Sequence, residues 1–215
     1  MHRFFARMEV FGAAILVAGI CLFGVMGCGP AASDSIRATE ASNTPPDADA
    51  YQLTDIDGQP FDLRQSSKGR VHVVIFVRSD CPISNRSAPE VRQLCSAFQP
   101  QGVDVYLIYV DPRESAAAIH DHIREYEYTC PALRDSKHAL ATATEASVTP
   151  EAVVFDKDWK VVYRGRINNQ FEDFGKSRET ATTHELRDAI EATLAGRTVA
   201  EPVTKAIGCY IDDLK

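Results

Sequence analysis

The 215-residue chain is short of positive charge: 23 Lys and Arg stand against 30 Asp and Glu, a formal net charge of −7. Arg3, Arg7 and Glu9 give the opening residues +1, so the remainder carries about −8. That deficit excludes general nucleic-acid binding, which rests on clustered Lys and Arg neutralising phosphates. Internal repeats at solenoid periods are absent, which excludes an array architecture. The six cysteines lack metal-like spacing, and neither a metal nor a cofactor is implied.

What is present suits one packed domain with extensions, given 45% hydrophobic residues. Residues 1–27 carry two arginines and then an apolar stretch from Val10 to Met26, the pattern of a secretory signal peptide. The box "VMGC" resembles the bacterial lipoprotein signal. It implies lipid attachment at Cys28 and an exported chain, anchored in the cell envelope and facing the periplasm. A plain membrane anchor is the alternative, since the apolar run is near the lower length limit for spanning. Residues 28–50 are small, polar and proline-containing, so they form a flexible tether, and the domain occupies residues 51–215.

Within the domain, "YQLTDIDGQPFDL" alternates around Asp57-Gly58 and predicts an edge hairpin. The β-branched runs Val71–Val77 and 103–110 predict strands buried on both faces. A helix begins at Pro82, a residue suited to the first helical position, which leaves Cys81 as N-cap; Pro89 should bend it. "DPRE" predicts a second helix capped by Asp111 with Glu114 as capping-box acid. A short helix near 138–146 follows, then two antiparallel strands joined at Lys157-Asp158. The last helix has Thr182 and Glu185 as its capping box and Gly196 as its stop. The sum is an α/β fold, a mixed central sheet flanked by helices.

That order, with a cysteine closing the first buried strand and a proline eight residues later, resembles the thioredoxin-like fold. The resemblance implies a cis-proline facing the cysteine, at Thr149-Pro150. The motifs "DCPISN", "VTPEAVVFD", "YRGRINNQ" and "AIGCYI" together resemble exported redoxin-domain proteins of the alkyl hydroperoxide reductase and thiol-specific antioxidant group. The match covers roughly residues 51–211 and departs in three places. Ser84 stands where a dithiol oxidoreductase has its second cysteine. Val74 and Arg78 stand where a peroxiredoxin has Pro and Thr, and Asn85 stands where copper-delivering relatives have a cysteine.

A cysteine at a helix N-terminus meets unpaired N–H groups and the positive end of the dipole, so Cys81 should ionise below the range of a free thiol. Arg78 or Arg86 would assist and Asp80 would oppose. Cys95, fourteen residues along the same helix and so about 21 Å away, cannot reach it and reads as a core residue. Cys130 is either a packing residue, the favoured reading, or a resolving thiol. Cys209, behind Gly208 on a tail that can fold back, is the preferred partner of Cys81, and the resemblance includes this Gly-Cys. Pro82, Thr149 and Pro150 would shape the site. His120 and His122 do not share a helix face and read as solvated. His72 and His184 have no visible partner. Arg164 and Arg166 offer either a cation to the thiolate or surface ion pairs, and "NNQFEDFG" is a loop near the site.

Three functions fit these residues. The first is thiol-disulfide exchange with a disulfide-bearing protein, using an electron donor that the sequence does not name. The second is reduction of a small peroxide. The third is a lipid-tethered binding module in which Cys81 and Cys209 form a permanent structural disulfide.

Overall fold

A computed structural model describes residues 47–66, 69 and 71–211. The leader, Cys28 and nearly all of the tether lie outside the described residues.

The strands are β1 (Gln52–Asp55), β2 (Pro60–Asp62), β3 (Val71–Val77), β4 (Val103–Tyr109), β5 (Ala132–Arg134), β6 (Val148–Thr149), β7 (Glu151–Phe155), β8 (Val161–Gly165), β9 (Phe171–Asp173), β10 (Lys176–Ser177) and β11 (Cys209–Tyr210). The helices are α1 (Leu63–Ser66), α2 (Pro82–Phe98), α3 (Ala116–Glu125), α4 (Ala139–Ala143) and α5 (Glu185–Leu194). Seven strands form the main sheet in the order β2-β1-β5-β4-β3-β7-β8. β3 runs parallel to β4 across the α2 crossover, whereas β7 joins β3 antiparallel, so the sheet is mixed. β1 and β2 form the expected hairpin, with β2 at the sheet edge.

β3 is buried along its whole length and feeds two cores. Val73, Ile75 and Val77 pack with Val91, Leu94 and Phe98 of α2 and with Leu186 and Ile190 of α5. Val74 and Phe76 face Tyr106, Ile108, Phe155 and Trp159 on the other side. Each such aliphatic side chain contributes about 1.5–3 kcal/mol on burial, which is why an unbroken β-branched run settles at the sheet centre. Where β3 ends, the chain turns through Ser79–Cys81 into α2, so the cysteine lies at the carboxyl edge of the sheet, where open α/β sheets leave a crevice.

Several expectations need correction. α3 begins at Ala116, with the Ser115 hydroxyl accepting from the Ala118 N–H at 3.2 Å. Asp111 cannot cap it, because its carboxylate is held by Arg113 at 2.7 and 2.9 Å, and Glu114 is drawn away to the Ser79 N–H at 2.9 Å. α5 has His184, not Thr182, at its N-cap. The N–H groups of Thr182 and Thr183 donate to Asn169 Oδ1, and Glu185 pairs with Arg166. Gly196 does end that helix in the left-handed region, φ +67°.

Cys95 is buried beside Leu94 and Phe98, but it is bonded to Cys130 in a disulfide with a Cα–Cα distance of 5.9 Å. The packing reading of both residues is therefore incomplete, since apolar burial brings the two sulfurs together. Of the two histidines expected in solvent, His120 is exposed near Asp57, whereas His122 is buried between Tyr109 and Asn85. His72 stacks on Trp159 with ring centroids 4.2 Å apart, and His184 lies 3.3 Å from Glu90.

Candidate active site

Cys81 is the N-cap of α2 in extended conformation, with Pro82 as first helical residue. Its Sγ accepts from the Ser84 N–H at 3.5 Å, one of the donors that a helix N-terminus leaves unpaired. As a thiol it donates to the Thr149 carbonyl at 2.9 Å, across the cis Thr149–Pro150 bond that the resemblance implied. The helix start is closed to solvent: Cys81 has no solvent-accessible surface.

The cover is the tail. β11 pairs antiparallel with β6, setting Cys209 opposite Thr149. This puts Cys209 beside Cys81, near enough for each thiol to shift the other's acidity. Gly208 permits the approach, because a Cβ there would lie 2.0 Å from the Thr149 carbonyl oxygen. Cys81 and Cys209 are free, and with Cys130 bonded to Cys95, the thiol that meets Cys81 is Cys209.

The two thiols are driven apart in acidity. Burial opposes ionisation of Cys81 and is the largest single influence. It is outweighed by the Cys209 thiol, the Ser84 N–H and the Thr149 and Ser84 side chains, so the Cys81 pKa falls below the ordinary thiol value. Burial and the adjacent Cys81 push Cys209 up to about 12. The buried hydroxyls of Ser84 and Thr149 make no hydrogen bond, and both side chains lie near enough to the sulfur to help lower its pKa. Arg78 is engaged by Asp80 at 2.8 Å, and Arg86 lies over the Phe171 ring at 5.4 Å. Arg164 pairs with Glu145 at 3.0 Å and Arg166 with Glu185, so neither is a free cation for the thiolate.

The turn that carries Cys81 is tied from two sides. Glu114 accepts from the Ser79 N–H and hydroxyl. Asn85 donates to the Ser79 carbonyl at 2.8 Å while its own oxygen meets His122 Nε2 at 2.9 Å, and His122 Nδ1 meets the Tyr109 hydroxyl at 2.7 Å. That chain requires a proton on His122 Nε2, and the burial that lowers its pKa favours the neutral ring, whose Nδ1 accepts from the Tyr109 hydroxyl.

The "NNQFEDFG" segment is the β9–β10 hairpin, and it overhangs the site. A cavity of about 330 Å³ lies between it and α2, lined by Pro82, Ile83, Arg86, Phe171, Phe174 and Cys209. A second, of about 350 Å³, lies across the tail beside Glu151, Arg164, Phe174 and Tyr210. Phe174 and Tyr210, 57% and 55% exposed, flank Cys209.

Sequence reasoning missed the Ser84 and Thr149 side chains as influences on the Cys81 thiol, and Asn85 and His122 as supports. Ser84 was legible, since position four of a helix start lies beside its cap. The Asn85–His122 link spans 37 residues and left no local trace.

Fold and site together define a thioredoxin-like redoxin domain. Residues 46–164, more than half of the chain, match the AhpC/TSA family, and the chain belongs to that family. It is 29% identical over 126 residues to the methylamine utilization protein MauD of Methylobacillus flagellatus, a match covering 56% of each chain. It is 23% identical over 116 residues to the thiol-disulfide oxidoreductase ResA of Bacillus cereus, covering 54% of this chain and 65% of that one. The chain thus spans less than two thirds of the length of these two curated relatives. Among solved structures, a hypothetical protein of Sinorhizobium meliloti 1021 superposes with a TM-score of 0.67 at 26% identity, covering 78% of this chain and 93% of that one.

Proposed function

We propose that this chain is an exported thiol-disulfide redox protein in which Cys81 is the nucleophile and Cys209 the resolving thiol. The observation that carries the reading is the juxtaposition of two free thiols, Cys209 paired opposite Thr149 and Cys81 bonded to the Thr149 carbonyl, with acidities shifted in opposite directions. The Cys81 thiolate attacks one sulfur of a substrate disulfide, whose S–S bond breaks, and the departing sulfur takes a proton. Cys209 then loses its proton and attacks Cys81 Sγ, releasing the second substrate sulfur. The substrate gains two electrons and the protein holds a Cys81–Cys209 disulfide. Thr149-Pro150 and Pro82 shape the site without reacting. The similarity to the thiol-disulfide oxidoreductase ResA supports this reading. The Cys95–Cys130 disulfide supports an oxidising compartment, consistent with a lipid anchor at Cys28.

The burial of Cys81 favours a second reading, because a small peroxide reaches a covered sulfur more readily than a protein does. Attack on a peroxide oxygen would leave Cys81 sulfenic acid and water or alcohol; Cys209 would then displace water to give the same disulfide.

Mapping of thiols before and after mild reductant tests the pair. A reducible Cys81–Cys209 link with a potential near the glutathione range supports a redox role, whereas one well below −300 mV makes it a structural staple. Stoichiometric hydrogen peroxide then separates the two substrates, since absence of sulfenate or disulfide at Cys81 removes the peroxidase reading.

A further inference from the structure

Resting on the Cys81–Cys209 pair just proposed, the geometry bears on which sulfur the electron donor meets. We propose that a dithiol protein donor attacks the oxidised site at Cys209, through the cavity beneath the β9–β10 hairpin, and not at Cys81.

Thiol-disulfide exchange needs the incoming sulfur in line with the bond that breaks, on the side away from the leaving sulfur. For attack on Cys81 that side lies within the fold. Cys81 has no accessible surface, and the α2 turn bearing Ser84 and the Thr149 carbonyl close around it. Cys209 is partly exposed and lines the 330 Å³ cavity. The donor's chemistry follows from the lining. Arg86, with no carboxylate partner among the described residues, faces the same cavity and attracts an anionic sulfur. Phe174, 57% exposed at the cavity and close to Cys209, offers a hydrophobic anchor of the kind a protein partner buries.

The step balances. The donor thiolate bonds to Cys209 Sγ, the Cys209–Cys81 bond breaks, and its electron pair stays on Cys81 as thiolate, received by the Ser84 N–H with the unpartnered Ser84 and Thr149 hydroxyls nearby. The donor's second thiol gives up its proton and attacks the donor sulfur in the mixed disulfide. Cys209 leaves and takes that proton. The donor ends as a disulfide, and the site has gained two electrons. The acidity order agrees, since the more acidic thiol is the better leaving group and Cys209, pushed up to about 12, is the poorer one.

The test uses the full chain, oxidised, with Cys95–Cys130 intact. Glutathione is added, the reaction is quenched in acid at short times, and the adduct is located by peptide mapping. The expected result is glutathione on Cys209 in about tenfold or greater excess over Cys81. Adduct mainly on Cys81 overturns the order of attack while leaving the pair intact. An oxidised chain with no Cys81–Cys209 link overturns the pair and this inference together. Arg86→Glu should slow adduct formation severalfold and flatten its salt dependence; an unchanged rate removes the cavity as the route. A thioredoxin whose second cysteine is serine should form a covalent complex at Cys209. If glutathione reacts there and the protein does not, the donor is a small thiol and the proposed partner class is wrong.

Discussion

Gly208 stands against the backbone of Thr149 so closely that an added Cβ would meet the carbonyl oxygen at 2.0 Å and the carbonyl carbon at 2.6 Å. Backbone on both sides leaves nothing that can give way cheaply. Gly208→Ala is therefore expected to lift the tail, costing about 1–3 kcal/mol of local packing. Cys81 should become accessible to alkylating reagents, and the Cys81–Cys209 disulfide should form more slowly. An unchanged alkylation rate would show that the tail does not shield the sulfur.

Cys209→Ala removes the neighbouring thiol that helps keep Cys81 acidic. The Cys81 pKa, now held low in part by that neighbour, should move up, read as a shift of the thiolate ultraviolet absorbance to higher pH. Turnover should fall about 100-fold or more, because resolution loses its intramolecular partner. Cys209→Ser, which keeps a hydroxyl donor, should restore part of the acidity but none of the turnover. If peroxide is the substrate, either variant should prolong the sulfenate.

Ser84→Ala deletes one of the two orphaned hydroxyls beside Cys81 while keeping the N–H. Its Cys81 titration should move upward, and the double variant with Thr149→Val should move further. A double variant that titrates like the wild type would assign the acidity to the helix terminus and Cys209 alone.

The Cys95–Cys130 disulfide closes a loop of 35 residues, for which the chain-entropy relation gives about 3–4 kcal/mol. Replacing both cysteines by alanine should lower unfolding stability by that order in denaturant titrations, while the Cys81–Cys209 reaction is retained. Loss of reactivity without loss of stability would mean that the disulfide belongs to the redox path.

Burial holds His72 and His122 below the ordinary imidazole range, with Asp104 opposing at the first and Glu125 at the second. Their folded values lie below the unfolded value of about 6.5, so the unfolded chain binds more protons as pH drops past it. Each histidine thus removes stability as pH falls through about 6.5. Glu114, Asp135 and Glu151, raised by burial, act in the opposite sense. Comparison with His122→Gln isolates one contribution: the variant's stability should fall less between pH 7 and pH 5.5, and equal slopes would refute the assignment.

Much of the fold was legible because β3 and β4 are nearly unbroken β-branched runs and α2 begins with proline after a cap. The helix starts at 116 and 185 were misread because Asp111, Glu114 and Glu185 have the right residue type but are engaged by Arg113, Ser79 and Arg166, two of them distant in sequence. At the candidate site, the N-cap place of Cys81 was legible from helix position and the cis bond at Pro150 from a resemblance, and a fold-back of the Cys209 tail was expected. The burial of Cys81 was not, since it depends on a strand pairing 60 residues apart, Cys209 with Thr149. The Cys95–Cys130 link was missed because apolar surroundings suit a thiol and a disulfide alike.

The short ladder between β11 and β6 means that the main-chain edge just before Pro150 is taken up by Cys209 and Tyr210 of the same chain. A visiting polypeptide cannot zip onto that edge as an added strand, the sequence-tolerant mode of capture. If the substrate is a protein, as proposed, selectivity would have to be written in side chains, by what fits around Phe174 and Tyr210, and a narrower clientele would result.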